Sequence, residues 1–525
     1  MTSLDLFLQK KILIEYLKKS RWFGGKTQKI LKIDILENIP FCNGNFTNNL
    51  LVIKVFYKGG SSELYSLPVS YALGNESLRI KQNSPESIIS YIKKKGLIIY
   101  DGTYNKKFQQ KIFDIVLREE KLKGTKGKLS GICGKNLKKI ICGKKISLNS
   151  YVLKTEQTNN SIVYSDKFIL KFFRKLNEGV NPEFEMLKFI TEETEFKNVP
   201  FFLGSVEYEV KNHKPVCMGI LQTFIKNRTD AWRYSIQNVK KYFERVISEN
   251  IKTADEKTIE GLIGRTYIEN IKLLGKRTGQ MHLALGSKRN RPEFRPEKFS
   301  FSYRKEVFVS LRSLTDRVFS LLEKSCYKFS HKLKEDIKEI LSSKEEIVKC
   351  FREILKKSFS VSKMRIHGDY HLGQVLFTGK DFFIIDFEGE PGRLFEDRRK
   401  KLSPIKDVAG MLRSFQYCVY FVLYKELGLK LEEIEKLHSF ADGWYEYISD
   451  VFLNSYLKIC TDENIVPKDK EDFFALLKIF LLEKVIYEIG YELNNRPDWI
   501  VIPVEGMKYI LKSLNIKIDN PLSIC

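Results

Sequence analysis

The sequence predicts an α+β protein whose first two regions are built from β-strands and whose third region is mainly helical. Short runs with strand character fill residues 1–145 and 146–228, whereas residues 229–525 repeat apolar residues at i, i+3 and i+4, the spacing of an amphipathic helix. Within the helical region only QVLF, from Gln374, and FFIIDF, from Phe382, have strand character. We therefore expect a single strand pair inside a helical domain.

The first region is predicted to open with a helix that ends near Lys19 and to continue as three strands, KIDILE, NLLVIKVFY and ELYSLPVSYAL. Its last part, LKGTKGKLSGICGKN from Leu122, is rich in Lys and Gly and predicts an exposed loop or linker. By its position this region, residues 1–145, is expected to be an N-terminal cap domain.

The second region, residues 146–228, is predicted to be a small sheet with one helix. The runs SYVLKTE, SIVYSD and KFILKFF have strand character, and Pro182 then opens a helix-like run. Two further strands follow, FLGSVEYEV and VCMGILQTFI. The remaining residues, 229–525, are expected to form a helical lobe.

The composition favours a globular cytoplasmic protein without a nucleic-acid or membrane partner. The net charge is +25, but Lys is spread along the whole chain and no basic helix carries interleaved aromatic residues. The nine cysteines form no CxxC pair, which is typical of free thiols in a reducing cytosol. No run reaches the about 18 apolar residues of a membrane span, and the N-terminus lacks a signal-peptide core.

The stretch MRIHGDYHLGQVLF, from Met364, places polar and small residues between two apolar runs. Asp369 precedes the first strand of the predicted hairpin, and Asp386 ends the second strand. The hairpin would bring both carboxylates to one end. Two acids in that position can orient a nucleophilic hydroxyl and hold a metal ion.

The spacing of these residues matches protein-kinase catalytic loops, in which an Asp precedes an Asn by five residues and a hairpin then leads to Asp-Phe-Gly. Here Asp369 precedes Gln374 by five residues, and the hairpin ends in Asp386, Phe387 and Glu388. The side-chain carbonyl of Gln is a hard oxygen ligand like that of Asn. We expect Asp369 to act as the catalytic base on an acceptor hydroxyl, with Gln374 and Asp386 holding Mg²⁺.

The second region would then bind ATP. Lys171 lies in KFILKFF, a strand at which kinases place a lysine that contacts phosphate. Glu185, on the following helix, is its predicted ion-pair partner, and Glu183 is the alternative.

No G-x-G-x-x-G motif precedes that strand; the turn is TEQTNNS instead. Its polar residues can still offer N–H and hydroxyl donors to phosphates, so Asn160 and Ser161 are expected to contact ATP. Backbone groups near Gln222 and Phe224, at the end of the last strand, are expected to meet the adenine.

Motifs along the chain resemble those of bacterial maltokinases. In chain order they are SRWFGGK, FILKFFRKLNEGVNPEFEM, LQTFIKNRTDAW, GKRTGQMHLAL, HGDYHLGQVLF, IIDFEGEP, SPIKDVAGMLRSFQY and YELNNRPDWIVIP. The resemblance covers nearly the whole chain, although SRWFGGK is its only match in the first region. It implies a bilobal eukaryotic-protein-kinase-like fold of the aminoglycoside-phosphotransferase type, with a β-rich cap, a small β nucleotide lobe and a mainly α C-lobe.

The resemblance also implies an activity. Maltokinases use ATP and Mg²⁺ to phosphorylate maltose at its anomeric hydroxyl, giving maltose 1-phosphate. That product feeds α-glucan (glycogen) synthesis by a maltosyltransferase, and the maltose can come from trehalose. By motif, Asp407 in KDVAG looks like the buried aspartate that braces the catalytic loop. The chain is expected to act as a monomer or homodimer.

A sugar site needs polar partners and an aromatic surface, because hydroxyls must be paired as they leave water. The candidates flank the metal site or lie on the last helices: Glu388, Arg413, Tyr491, Glu492 and Arg496, with Glu390 as a further carboxylate. Purely structural roles also fit some of these residues. Tyr487 and Tyr491 have the spacing of core packing, Arg496 could cap its helix, and SRWFGGK could pack the cap onto the nucleotide lobe.

Two alternatives remain open. Another sugar or amino-sugar kinase of the same fold, such as a glucosamine kinase, would have the same catalytic loop. A kinase for an amino sugar would need an extra carboxylate to pair with the ammonium group of its substrate. A protein that only senses nucleotide or glucan would be expected to lack Asp369, Gln374, Asp386 or Lys171, and all four are present.

Overall fold

The structure, a computed structural model, describes residues 10–41, 48–141, 149–153, 159–288, 290–460 and 465–515. These residues form two compact units. The first contains the chain up to Glu193 together with Val199–Lys226, and the second contains Thr194–Asn198 and the chain from Asn227 onward. None of the helices in the described ranges has the length and apolar character needed to cross a membrane.

The first unit is built mainly from β-strands. In chain order its elements are α1 (Lys10–Lys19), β1 (Ile30–Pro40), β2 (Asn49–Tyr57), β3 (Ser62–Ala72), α2 (Gly74–Asn83), β4 (Ile88–Ile92), β5 (Leu97–Asp101), α3 (Lys106–Arg118), β6 (Lys121–Lys123), β7 (Lys128–Cys133), α4 (Lys135–Ile141), β8 (Ser150–Val152), β9 (Asn160–Tyr164), β10 (Phe168–Phe172), β11 (Lys175–Leu176), α5 (Pro182–Glu193), β12 (Phe202–Glu209) and β13 (Val216–Thr223). The predicted first helix and the predicted strands are confirmed.

Two antiparallel sheets organise this unit. One has the order β1-β2-β3-β5-β4, with β11 pairing to β3, and the other has the order β6-β7-β12-β13-β10-β9-β8. Alternating apolar residues of β2 and β3, among them Leu51, Ile53 and Leu67, are fully buried in the core of the first sheet. Leu50 and Val52, on the opposite face of β2, are buried as well, so both faces of this strand are covered.

The prediction of a loop or linker from Leu122 is wrong, because this stretch forms the hairpin β6–β7. Glu37 of β1 explains why a Lys- and Gly-rich turn is ordered here. Its buried carboxylate accepts hydrogen bonds from the backbone N–H groups of residues 125–127 at 2.5, 2.9 and 2.7 Å and from the hydroxyl of Tyr208. The strands β6 and β7, which precede residue 145, belong to the same sheet as β8, which follows it. The predicted boundary at residue 145 therefore does not coincide with the division between the two sheets. The three-domain division stays a prediction.

Arg174, two residues after the end of β10, connects the two sheets of the first unit. Its guanidinium is fully buried, forms an ion pair with Asp101 of β5, and donates from Nε to Asn160 Oδ1 of β9 at 2.6 Å. The ring of Trp22, from SRWFGGK, lies 4.9 Å from the guanidinium carbon. Tyr16 donates its hydroxyl to the same Asp101 at 3.0 Å. Trp22 thus packs in the join between the sheets, which fits the packing interpretation of its motif.

Replacing Arg174 with Met is expected to lower the free energy of unfolding by about 3–5 kcal/mol, because it leaves the buried Asp101 charge without its cation. Urea unfolding would measure this. The neighbouring Lys175→Met is the control. Its ion pair with Glu63 lies at the surface, with the lysine 51% exposed, so its loss should cost under about 1 kcal/mol. Equal losses in the two variants would contradict the assigned role of Arg174.

The second unit is mainly helical, as predicted. Its elements are β14 (Thr229–Asp230), α6 (Ala231–Ser248), α7 (Glu256–Ile263), α8 (Arg265–Gly286), β15 (Glu297–Lys298), α9 (Phe301–Ser325), α10 (His331–Ser342), α11 (Lys344–Lys356), β16 (Ser362–Lys363), β17 (Val375–Phe377), β18 (Phe382–Ile384), α12 (Ile405–Phe421), α13 (Leu431–Cys460), α14 (Lys470–Asn495) and α15 (Val501–Asn515).

The predicted hairpin is present as β17 and β18, and β14 adds a third strand to it. Two side-chain contacts fix this small sheet within the unit. Arg277 of α8 forms a two-pronged ion pair with Asp381 in the hairpin turn, at 2.9 and 2.6 Å. Asn198 donates its side-chain amide to the carbonyl of Phe382 at 2.9 Å. The loop before β17 and the turn after β18 are therefore held on a rigid support.

Candidate active site

The loop between Met364 and Gln374 is held at its first residue and again at His367. Met364 and Leu402 exchange backbone hydrogen bonds of 2.8 and 2.7 Å. The ring Nε2 of His367 lies 2.8 Å from the carbonyl oxygen of Ile385, directly after β18. The apolar pattern breaks off in this stretch because its polar groups hold a shaped loop rather than a strand.

Asp407 is the central brace of this loop. It lies in the first turn of α12, is buried, and accepts hydrogen bonds from the backbone N–H groups of His367 and Gly368 at 2.8 and 2.9 Å. His282 Nε2 lies 3.1 Å from the same carboxylate. Burial by itself raises the pKa of Asp407, but the hydrogen bond and charge of His282 and the bond from Gly368 hold the pKa below its usual range. The brace is therefore a carboxylate.

Gly368 is a position at which only glycine fits easily. Its φ of +85° lies in the left-handed region, and a Cβ built there would lie 3.2 Å from the Cα of Gly389. The loop before β17 and the segment after β18 thus approach closely at this point. Asp369 follows immediately.

The negative charges of Asp369 and Asp386 both act on the imidazole of His371. Asp369 Oδ2 lies 3.9 Å from Nε2 of His371. Burial lowers the pKa of His371, while the negative charges of Asp369 and Asp386 oppose that effect. Asp369 precedes β17 and Asp386 follows β18, and because the strands pair with Val375 opposite Ile384, the two acids lie at the same end of the hairpin.

The turn after β18 offers hard oxygen ligands. Asp386 has a φ of +70°, which is uncommon for a residue other than glycine, and its carbonyl accepts the N–H of Glu388 at 2.8 Å. The side chains of Asp386 and Glu388 offer carboxylate oxygens within 4.8 Å of each other. Gln374 accepts the N–H of Ile385 with its backbone carbonyl at 3.0 Å, so it is the neighbour of this turn. Carboxylate and amide oxygens suit Mg²⁺.

Lys484 of α14 is a residue of this site that the sequence analysis missed. Its ammonium Nζ lies 3.4 Å from Asp369 Oδ1. Burial would lower the pKa of Lys484, but the charges of Asp369, Glu488 and Glu390 raise it above the usual range. A lysine with helical spacing to Tyr487 and Tyr491 was the available signal, yet nothing in the sequence connects it to Asp369.

In the first unit, Lys171 of β10 forms a buried ion pair with Glu183 of α5, at 2.8 Å. The predicted partner Glu185 is therefore corrected to the alternative, Glu183. Both glutamates lie in the first turn of α5, but Glu183 is 2% exposed at its side chain, whereas Glu185 is only half-buried. A buried glutamate opposite a strand lysine is the arrangement that kinases use to position the lysine for phosphate.

The other predicted ATP contacts fare differently. Asn160 accepts a hydrogen bond from Arg174 with its side-chain oxygen, which places this side chain at the join between the sheets. Ser161 is buried opposite Lys171 in the β9–β10 pair. The backbone N–H of Phe224 donates a hydrogen bond to the carbonyl of Lys167 at 2.8 Å.

Gln222, in β13, has a buried side-chain oxygen with no hydrogen-bond partner among the described residues. Because this acceptor is unpaired, the side chain of Gln222, which was predicted to lie near the adenine, can still accept a hydrogen bond from a ligand. Of the turn TEQTNNS, residues 155–158 lie outside the described residues.

Two predicted sugar contacts are corrected. Arg413 of α12 is fully buried and donates to Glu488 from Nε and Nη2, at 3.2 and 2.5 Å. Glu492 has a 2% exposed side chain and accepts from the hydroxyl of Tyr417 and from Arg496, at 2.8 and 2.7 Å. Both side chains join α12 to α14 or close the end of α14, so neither is available to a ligand.

Tyr491 is exposed, Glu388 is half-buried in the turn after β18, and Arg496 closes a helix. Tyr491 is 44% exposed and its ring stacks on that of Tyr487, with centroids 6.4 Å apart. Arg496 ends α14, where its N–H bonds the carbonyl of Glu492 and its guanidinium lies 4.3 Å from the ring of Trp499. The helix-end interpretation of Arg496 accounts for these contacts.

No protein-family model matches the chain. A glucosamine kinase of Mycolicibacterium smegmatis is 22% identical over 361 residues, which cover 68% of this chain and 78% of that protein. A glucosamine kinase of Streptacidiphilus jiangxiensis is 18% identical over 360 residues, covering 66% of this chain and 70% of its own length. Among solved structures, a glucosamine kinase in complex with glucosamine, ADP and inorganic phosphate matches with a TM-score of 0.60 and 14% identity, over 91% of this chain and 93% of that one. The predicted α+β, kinase-like fold is confirmed.

Proposed function

We propose that the protein is an ATP- and Mg²⁺-dependent kinase that phosphorylates a hydroxyl group of a small sugar, with an amino sugar of the glucosamine type as the acceptor. One observation carries the proposal: Asp369 lies on a loop clamped by Asp407, beside a turn that offers the oxygens of Asp386 and Glu388. Phosphoryl transfer needs positioning and charge neutralisation more than covalent chemistry from the protein, and this arrangement suits both tasks.

In this proposal Asp369 accepts a hydrogen bond from the acceptor hydroxyl and orients its oxygen toward the γ-phosphorus. The oxygen–phosphorus bond forms as the bond from that phosphorus to ADP breaks, and the hydroxyl proton passes to the Asp369 carboxylate. Asp386, with Gln374 and Glu388, would hold Mg²⁺, which neutralises phosphate charge when bound. Lys171, fixed by Glu183, would hold phosphate oxygens of ATP in the first unit.

The acceptor class rests on charge near Asp369. Glu388 and Glu390 are both half-buried in the segment after β18. Glu390 forms an ion pair with Arg393 at 2.8 Å, and its charge also reaches Lys484 and Tyr487. An amino sugar carries an ammonium group, which needs a carboxylate partner as it leaves water. The similarity to two glucosamine kinases and the shared fold support the same class.

Maltose is the second candidate acceptor. It is favoured by the resemblance of the motifs and by the stacked pair Tyr487 and Tyr491, which offers an aromatic surface to a second sugar ring. With maltose, the product would be maltose 1-phosphate and its consumer a maltosyltransferase.

An acceptor panel tests the proposal. The purified chain would be incubated with MgATP and glucosamine, maltose, glucose or no sugar, with ADP release followed and the product's phosphate located by phosphorus NMR. We expect glucosamine to exceed maltose at least about tenfold in kcat/KM, the scale of one matched or unmatched polar group. A maltose-dependent anomeric phosphate without glucosamine turnover would move the assignment to the second candidate. No sugar-dependent ADP release would refute the sugar-kinase proposal.

A further inference from the structure

One face of α14 is turned toward the loop that carries Asp369. Lys484, Tyr487, Glu488 and Tyr491 occupy positions i, i+3, i+4 and i+7, so they lie on the same side of the helix. Within the second unit, Lys484 brings its ammonium to 3.4 Å from Asp369 Oδ1. A cation thus stands next to the group proposed as the base.

This cation lies in a site built to keep it charged. The Lys484 side chain is 24% exposed, and carboxylates from three segments act on it: Asp369 from the loop, Glu488 from its own helix and Glu390 from the segment after β18. A partly buried ammonium is costly unless it is paired, and here the surrounding negative charge compensates for the lost water.

Glu488 is itself fixed by a second, fully buried cation. Arg413 binds Glu488 through two nitrogens, and its guanidinium lies so close to Gly506 of α15 that a Cβ there would be 2.3 Å from Nη1. Arg413 and Glu488 form one ion pair and Lys484 and Asp369 form another, and Glu488 lies four residues from Lys484 on α14, where its negative charge acts on the ammonium. Buried networks of this kind hold their members in one geometry.

We propose that Lys484 is a positioning residue for the reaction, which holds Asp369 Oδ1 so that Oδ2 faces the acceptor hydroxyl, with Arg413 and Glu488 holding Lys484 in turn. The inference rests on the proposed kinase function. It gives Lys484 a role in orienting the base, beyond a contact that only joins α14 to the loop.

Variants at Lys484 test this role through kcat. Lys484→Met removes the charge with little change in volume, and we expect kcat to fall about 100-fold while the KM for ATP changes less than about threefold, since ATP contacts are not touched. Lys484→Arg keeps the charge and should recover at least about tenfold of that loss. Lys478→Met, the same change at another half-buried lysine of α14, should leave kcat within about twofold. Thermal unfolding of each variant verifies that it is folded.

Combination with Asp369→Asn separates positioning from a structural role. If Lys484 acts through Asp369, then adding Lys484→Met to the Asp369→Asn protein should change the residual kcat by less than about threefold. A full 100-fold further loss, or a single Lys484→Met variant that keeps more than about a third of the wild-type kcat, would overturn the inference. If the wild type phosphorylates no sugar, the proposed function is refuted. The same variants can then be compared by their rate of ATP hydrolysis, in which water replaces the sugar hydroxyl. That rate still tests whether Lys484 acts through Asp369.

Discussion

Replacing Asp369 with Asn is expected to lower kcat about a thousandfold or more, with a smaller effect on the KM for ATP. The amide keeps the shape of the side chain but cannot take the proton of the acceptor hydroxyl, and positioned general bases typically contribute 10²- to 10⁴-fold. Steady-state assays with MgATP and the preferred sugar of the acceptor panel would measure both constants.

The control for this variant is Asp397→Asn. Asp397 lies in the segment after the hairpin and pairs at the surface with Lys400, which is 66% exposed, so its change should leave kcat within about twofold. A kcat of the Asp369→Asn variant above about a tenth of the wild-type value would exclude Asp369 as the base. Attention would then turn to Asp386, the other acid at this end of the hairpin.

Replacing Asp407 with Asn is expected to lower the free energy of unfolding by about 3 kcal/mol and to reduce activity as well. The carboxylate accepts two backbone N–H groups and faces His282, whereas an amide nitrogen would point hydrogens at one of these donors and leave it unpaired in the interior. Urea unfolding measures the loss. Asp316→Asn, at a 50% exposed residue paired with Lys344, should cost under about 1 kcal/mol.

The same brace predicts a pH dependence. The pKa of Asp407 in the folded chain is held below its usual range, so the unfolded chain takes up the proton first as the pH falls. The stabilisation by Asp407 is therefore complete above the ordinary carboxyl pKa of about 4 and is lost progressively below it. The difference in unfolding free energy between wild type and Asp407→Asn should be constant from pH 7 to pH 5 and shrink toward pH 3. A difference that grew on acidification would contradict the assignment.

Some site residues follow from helix rotation, which the sequence does not fix. Glu183 and Glu185 are two residues apart and so about 200° apart around α5, and both are acids after a strand with a lysine. Either could be the partner until the packing of α5 is known. The structure selects Glu183 because that side of the helix is buried with Lys171.

Arg413 and Glu492 were predicted to bind a sugar, and their burial also could not be read from the sequence. A charged residue in a helical segment is usually exposed, which made both of them candidates for binding a sugar. In the fold each is buried by a partner from another segment, Glu488 for Arg413 and Tyr417 for Glu492. A buried pair between distant helices leaves no local pattern in the sequence.

The sequence by itself determined the strand pair in the helical region, the loop with Asp369 and Gln374, and the turn with Asp386, because these features depend on spacing within about 25 residues of chain. Only the tertiary structure decided that Lys484, 115 positions after Asp369, meets that residue, and that Arg413 pairs with Glu488 one turn further along the same helix. Contacts over such separations depend on how helices pack and turn about their axes, and one amphipathic pattern is compatible with several of those arrangements.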